Sequence, residues 1–382
     1  MRALRIRPER IYHPDKKTYE QAEIRVVDGA IQAIGKDLPP QDGEEILDLP
    51  GLTLTPGWID IHVHANPMDT VIGMQPDQVG IHRGSPIVLD AGTVGTDSLE
   101  QYLAEVEAQS KTDVKILLNV SRIGLKRLDE GSNPDWIDEE AIRQAVKKHP
   151  DKIVGIKARA SASVVGDQGI QPIQRAKAIA KELHLPLVVH IGNMPPKVEA
   201  VLELMQKGDV ITHCYHNKPN GLFDKAGKMI PAAYAAKQRG VLFDVGHGSA
   251  SFSFETAERA MKQGFEADLI STDLYEKNLN GPVISLSHVM DKMIELGISV
   301  EDAVSKVTFK SAEVFGLSGY GRLKAGAKAV FTAYKRKEES VELTDSVGQK
   351  RIGQSRFETI VSIVDGESFT WEGSRCQKLS EK

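Results

Sequence analysis

The feature that most constrains the fold is a rhythm. Between residues 55 and 273 eight short apolar runs recur, their starts about 20 to 40 residues apart: WIDIHVH, PIVLDAG, VKILLNV, KIVGIKARA, LPLVVHIG, DVITHCY, GVLFDVGHG and ADLISTD. Each is close to continuously apolar rather than alternating, as a strand covered on both faces must be, and the spacing is that of a strand followed by a helix. The stretches between them carry helix signals. Thr96, Asp97 and Ser98 precede a stripe of Leu99, Leu103 and Val106, Pro172 opens IQRAKAIAKELH, and PPKVEAVLELMQKG starts on proline and stops at Gly208. Ser253 leads FETAERAMKQG, and SLSHVMDKMIELG ends at Gly297. Eight such units predict an α/β chain built as a (β/α)8 TIM barrel over residues 55–317. A doubly wound open sheet is the alternative, but it normally carries a glycine-rich phosphate turn after its first strand, and this chain has none there.

The ends differ in texture. Residues 3–54 alternate apolar and polar, with Asp28 and Gly29 as a hairpin signal, and GRLKAGAKAVFTAYK and FETIVSIVDGESFTW return to alternation, with Asp365 and Gly366 as another. Neither end alone buries enough surface, so residues 1–54 and 318–382 are expected to pair into a small β-sandwich domain formed by the N- and C-terminal segments. The polar segment 335–356 reads as a mobile loop or an edge hairpin.

Composition removes several function classes. A net charge of −5, with no basic run interleaved with aromatics, argues against a nucleic-acid partner. MRALRIRPER lacks the apolar centre of a signal peptide, and no apolar run nears the ~20 residues that span a bilayer, so no membrane role is expected. The two cysteines, Cys214 and Cys376, are far apart and lack metal-type spacing, which fits a reducing, cytoplasmic setting without disulfides. The expected partner is a small-molecule substrate, and homo-oligomerisation is left open.

Reactive residues of such a barrel collect at the C-terminal ends of its strands. Here the first run ends in His62 and His64, two positions apart and therefore on one face of the strand. The fourth carries Lys157, the fifth ends in His190, the sixth in His213, the seventh in His247 and the eighth in Asp273. Five of the 11 histidines fall at these ends. Any one of them could be hydrogen-bonded scaffold, and Asp273 could cap the next helix; jointly that reading is poor, because all would converge on one mouth, where His62 and His64 could share a metal ion. Lys157 sits where an unpaired ammonium is costly to bury. It either forms a salt bridge to an acid such as Asp273, or has taken up carbon dioxide as a carbamate, an anion able to bridge two cations.

The motifs PGWIDIHVH, GIKARAS, VVHIG, THCYH and ISTD together resemble the amidohydrolase superfamily of metal-dependent hydrolases. With DAGTVG and DVGHG they are most similar to its deacetylase-type branch, often labelled dihydroorotase-like or adenine-deaminase-like. GAKAV departs from the Gly-x-x-Ala-Asp lead-in usual in relatives, at a position outside the barrel. The resemblance implies two divalent metal ions, expected to be Zn2+. His62 and His64 would hold one together with Asp273, His190 and His213 the other, and N6-carboxylated Lys157 would bridge them. It further implies a metal-held hydroxide as nucleophile, with Asp273 as general acid and base.

Arg159, on the same strand face as Lys157, is either a second catalytic residue that steadies an oxyanion or substrate carboxylate, or one half of a rim salt bridge. His247, Asn193 and Tyr215 are candidates for substrate binding, and residues 66–85 for a lid or specificity wall. His216 and His82 read as surface residues. The expected activity is hydrolysis of an amide or ester bond of a small molecule, of deacetylase or deacylase type. A cyclic amidohydrolase, a purine deaminase and a non-catalytic barrel are the alternatives.

Overall fold

The computed structural model describes residues 3–372 and 375–378. Seven of the eight apolar runs are strands of one parallel sheet: β1 (Ile59–Val63), β2 (Ile87–Ala91), β3 (Asp113–Asn119), β4 (Ile153–Ala160), β5 (Leu187–Ile191), β6 (Val210–Thr212) and β7 (Leu242–Asp244). Each bonds to the next in chain order. Their side chains are almost wholly buried on both faces, which is why the runs lack alternation.

The eighth run corrects the expectation of eight strands. Residues 267–273 meet β7 through a single bridge, Asp244 to Leu269, and the chain returns to β1 through another, Val63 to Leu274. The N–H groups of Asp268 and Leu269 both bond to Phe243 C=O, and the Asp273 N–H bonds to His62 C=O at 2.7 Å. A regular ladder is broken because Asp273 adopts a φ of 54°, outside the extended region. The segment still lies between the last and first strands, and the architecture is that of a TIM-barrel-like α/β protein.

Helices cover the sheet between strands. Those at Leu99–Gln109, Gln171–Glu182, Val198–Leu204, Phe254–Lys262 and Leu286–Glu295 fall where the sequence signals them. Ser253 and Ser285 cap the last two, accepting the N–H of Thr256 and of His288. Two more, Glu139–Lys148 and Pro231–Gln238, complete the alternation.

Strands from the two chain ends pair in a single sheet. One nine-stranded sheet joins Ala3–His13 and Glu45–Pro56 in parallel, and Glu45–Pro56 to Phe331–Lys337 antiparallel, with Thr55 opposite Thr332. Ile6, Ile24, Leu54, Phe331 and Ile363 form a core of its own. Both hairpin signals are turns with left-handed residues, Asp28–Gly29 and Asp365–Gly366. Trp58, fully buried, fastens this sheet to the barrel. Its indole N–H bonds to Thr55 Oγ1 at 3.1 Å, its backbone N–H to Thr332 Oγ1 at 3.1 Å, and its ring meets the edge of Phe357. The polar segment resolves into a hairpin, Val341–Thr344 with Lys350–Gly353, whose Leu343 joins the barrel core.

Candidate metal centre

The first strand delivers two imidazoles to one place. His62 and His64 are 2% and 4% exposed, and their Nε2 atoms lie 3.6 and 3.0 Å from Asp273 Oδ1. Lys157 of β4, 1% exposed, puts its Nζ 3.1 Å from His62 Nε2. His213, one residue past β6, lies tilted at 45° to His62 with ring centroids 5.0 Å apart, and His190 of β5 meets His213 edge-on at 4.4 Å. Ligand atoms of His62, His213 and Asp273 all lie within 4.8 Å of one another. The six residues named from sequence are thus one cluster.

The far side of each ring decides which nitrogen is free. Thr212 Oγ1 donates to Asp244 Oδ2 at 2.7 Å, so it can only accept from His62 Nδ1, 3.0 Å away. The proton therefore sits on Nδ1, and the Nε2 lone pair points into the cluster. His213 Nδ1 likewise donates to Gly246 C=O, and His64 Nδ1 lies 2.8 Å from Thr93 Oγ1. Such outer partners orient metal-binding imidazoles. Burial pushes the pKa of His62 and His190 well down and that of His213 to about 4, so all three are neutral, the form that binds a cation. Burial also lowers Lys157 to about 8, against the pull of Asp273 and Asp244.

Backbone shape matters as much as side chains. His213 and Asp273 take φ values of 68° and 54°, a left-handed conformation that costs a non-glycine residue of order 1 kcal/mol or more and tends to collect at functional sites. Three glycines make room. A Cβ on Gly92 would stand 2.6 Å from Lys157 Cγ, one on Gly246 2.2 Å from Thr212 Oγ1, and one on Gly248 2.5 Å from Asp273 Oδ2. These are glycines of DAGTVG and DVGHG. Asp60 and Asp90 tie the strand ends together beneath. Asp60 Oδ2 accepts the Thr272 hydroxyl at 2.6 Å, and Asp90 accepts the N–H groups of Ala65 and Thr93 at 2.9 Å. The residues present fit a cation pair: four imidazoles, three of them held neutral by burial, one carboxylate and a buried amine meet at one place.

Three expectations need correction, and one of two open readings is decided. Tyr215 is a core residue, fully buried, with its hydroxyl donating to Phe265 C=O and accepting the Ala267 N–H at 2.7 Å, so it faces away from substrate. His247 is also sealed. Its Nδ1 donates to Gly248 C=O at 2.9 Å, its Nε2 accepts from buried Lys292 Nζ at 2.8 Å, and its ring stacks on Phe252, leaving no donor free. Arg159 forms the rim salt bridge, bidentate to Glu130 at 2.6 and 2.7 Å. His216 is not at the surface; it is 3% exposed because the loop after β6 folds inward and the Lys218 N–H bonds to its Nδ1 at 3.0 Å. Asn193 lies exposed just past β5, with its backbone held by Ser161 and Ala162.

Thr93, Thr212, Asp244 and Lys292 were missed. Only the position of Thr212 beside His213 and of Thr93 within DAGTVG could have flagged them, since a hydroxyl carries no metal signature in sequence.

Known proteins share this arrangement of chain. The profile described as "Amidohydrolase family" matches residues 53–354. An Enterococcus faecalis protein named "Deacetylase" is 38% identical over 350 residues, covering 91% of this chain and 95% of that protein. A solved structure described as an adenine deaminase superposes with a TM-score of 0.92 at 36% identity, covering 97% of this chain and all of the other. One described as a dihydroorotase gives 0.87 at 31%, with the same coverage.

Proposed function

The chain belongs to the amidohydrolase family and is a hydrolytic enzyme, and from that premise we propose that it removes an acyl group, acetyl foremost, from the nitrogen or oxygen of a small molecule. The observation that carries the reading is the convergence of His62, His64, Lys157 and Asp273 within 3.0 to 3.6 Å at the barrel mouth. In this reading His62, His64, His190, His213, Asp273 and Lys157 hold two cations, with Zn2+ favoured by a mixed nitrogen and oxygen donor set. Such a pair, when bound, polarises a carbonyl and lowers the pKa of bound water from about 15.7 toward about 7.

The chain supplies the rest. A lysine amine pushed down to about 8 is partly neutral at physiological pH, and its nitrogen lone pair can add to carbon dioxide, releasing one proton and leaving a carbamate oxygen anion among the histidines. Burial alone would raise the pKa of Asp273, but the hydrogen bond and charge of His64 hold it below the usual carboxylate range. Asp273 is therefore ionised and able to orient a water, accept its proton on a carboxylate oxygen and return it to the leaving nitrogen or oxygen. The name carried by the Enterococcus faecalis relative supports acyl removal over the alternatives. Loss of the buried lysine would favour a one-metal deaminase, and here it is kept.

We further read residues 1–54 and 318–382 as a β-sandwich unit beside a barrel of 55–317, supported by the separate core at the chain ends. A cytoplasmic setting belongs to the same reading, supported by buried, unpaired Cys214; no helix among the described residues is long and apolar enough to cross a membrane. The deciding experiment is a metal assay followed by a screen of N-acyl and O-acyl acids beside dihydroorotate and adenine. Release of a carboxylic acid from an acylated compound is expected; ammonia from adenine or ring opening of dihydroorotate, with acylated compounds inert, would overturn it.

A further inference from the structure

With Arg159 bound to Glu130 and with Tyr215 and His247 sealed, three expected donors are lost to the mouth. Tyr275, two residues past Asp273, stands beside the metal centre instead. Its ring meets the His64 imidazole edge-on, with centroids 6.1 Å apart. It is half-buried, and its hydroxyl oxygen accepts the Ser249 hydroxyl at 2.9 Å. A phenol has one proton to give and lone pairs to accept with. Since Ser249 takes up the oxygen as a donor, the phenolic proton is left over, and it has no acceptor among the described residues. A partly buried donor is costly to leave in that state unless a bound molecule completes it.

Backbone on both sides fixes that hydroxyl. The His64 N–H bonds to Leu274 C=O at 3.1 Å, so the residue before Tyr275 is locked to the strand end that carries His64. Asn278, fully buried, accepts the Tyr275 N–H on Oδ1 at 3.0 Å and donates to Asp273 C=O at 2.8 Å. Ser249 comes from the loop after β7 and directly follows Gly248, which abuts the Asp273 carboxylate and whose N–H bonds to Thr272 C=O at 2.9 Å. Tyr275 thus joins the loop after β7 to the end of the eighth run, beside two of the proposed ligands, His64 and Asp273. When an acyl compound is attacked, its carbonyl oxygen gains negative charge as the carbon becomes tetrahedral. A fixed O–H donor is worth more to that oxygen than to the planar ground state.

We propose that the Tyr275 hydroxyl donates to the carbonyl oxygen of the acyl group being removed, and that Ser249 is the residue that positions it. This rests on the acyl-removal reading given above. No proton changes hands at this contact: the phenol keeps its hydrogen, as its ordinary pKa of about 10 allows, and Asp273 retains the acid and base duty.

The test compares wild type, Tyr275→Phe and Ser249→Ala, all metal-loaded, with metal content and thermal midpoint recorded for each. Phenylalanine keeps the ring against His64 and removes only the hydroxyl. Calorimetry gives affinities for methylphosphonate, a tetrahedral anion shaped like an attacked acetyl group, and for acetate, its planar counterpart. In Tyr275→Phe the methylphosphonate affinity should fall about ten-fold or more while that for acetate stays within about three-fold. On a compound that wild type turns over, kcat should fall about 10²-fold with KM changed by less than about three-fold. Ser249→Ala should lose a smaller share of the same two quantities. Wild-type methylphosphonate affinity or wild-type kcat in Tyr275→Phe, equal losses for the two anions, or no methylphosphonate binding to wild type overturns the proposal. If Tyr275→Phe loses methylphosphonate affinity as expected while wild type hydrolyses no acylated compound, the oxyanion donor stands and the acyl-removal reading falls.

Discussion

Gly92 lies flat against the stem of Lys157: with φ at 80°, its backbone approaches so closely that a Cβ would sit 2.6 Å from Lys157 Cγ and 2.8 Å from its Cβ. Asn119 holds it there, donating to Gly92 C=O at 2.8 Å from the neighbouring strand. Gly92→Ala should push Lys157 away from His62, cost about 1–3 kcal/mol of stability through overpacking and strain, and leave fewer than two metals per chain. Metal analysis of the purified variant beside its denaturation midpoint checks this; a full metal complement with unchanged activity contradicts it.

The carbamate reading makes a chemical demand on Lys157. Protein equilibrated with 13C-labelled bicarbonate should show one carbamate carbon resonance, absent from Lys157→Ala, which should lose metal and activity together. A short carboxylic acid added to that variant can stand in for the missing oxygen anion and should restore part of both. Two metals per chain and normal turnover in Lys157→Ala would remove the carbamate from the mechanism.

Thr212 fixes the tautomer of His62 through its bond to Asp244. Thr212→Val keeps the shape and deletes the acceptor, leaving His62 Nδ1 unpaired. Metal affinity should fall about 10- to 100-fold while the fold persists, as measured by competition with a chelator of known affinity. An unchanged affinity would show that strand geometry alone orients the ring.

Much of this centre was legible in the chain because histidines and an acid at strand ends have a chemical signature and strands have a fixed direction. The β1 to β7 runs are recognisable because a doubly covered strand must be apolar throughout, as in Ile59–Val63 and Leu187–Ile191. The eighth run was misread because ADLISTD has a strand's composition, while its irregular backbone is set by Asp273 and its contact with His62, which no local pattern encodes. Tyr215 and His247 were misplaced for a related reason: proximity in sequence to His213 and to the seventh strand end says nothing about which way a side chain turns.

Protonation of buried imidazoles should set the acid limit of the metal-depleted protein. Burial, helped by Lys218 for His216 and by Lys292 for His288, lowers both to about 3 from 6.5. The unfolded chain therefore takes up these protons first, so the stability they confer is full above pH 6.5 and drains as pH falls toward about 3. Urea midpoints of chelator-treated protein from pH 8 to 4 should decline below about 6.5 with net uptake of more than one proton on unfolding. A flat profile over that span would show that neither ring is held neutral by the fold.

Asp273 carries the proton in the proposed reaction, and Asp273→Asn separates that duty from ligation. The amide keeps the size and one acceptor oxygen, and five other ligands remain, so most of the metal should stay bound. Turnover should drop about 10²- to 10⁴-fold, because the amide oxygen does not take a proton near neutrality. The shape of the loss with pH is the sharper criterion. The wild-type carboxyl is held below its ordinary range by its hydrogen bond with His64 and is ionised throughout pH 5 to 8, so the deficit should be uniform across that window. Recovery at either end, or near-normal turnover with two metals bound, would assign proton transfer to another group at the mouth.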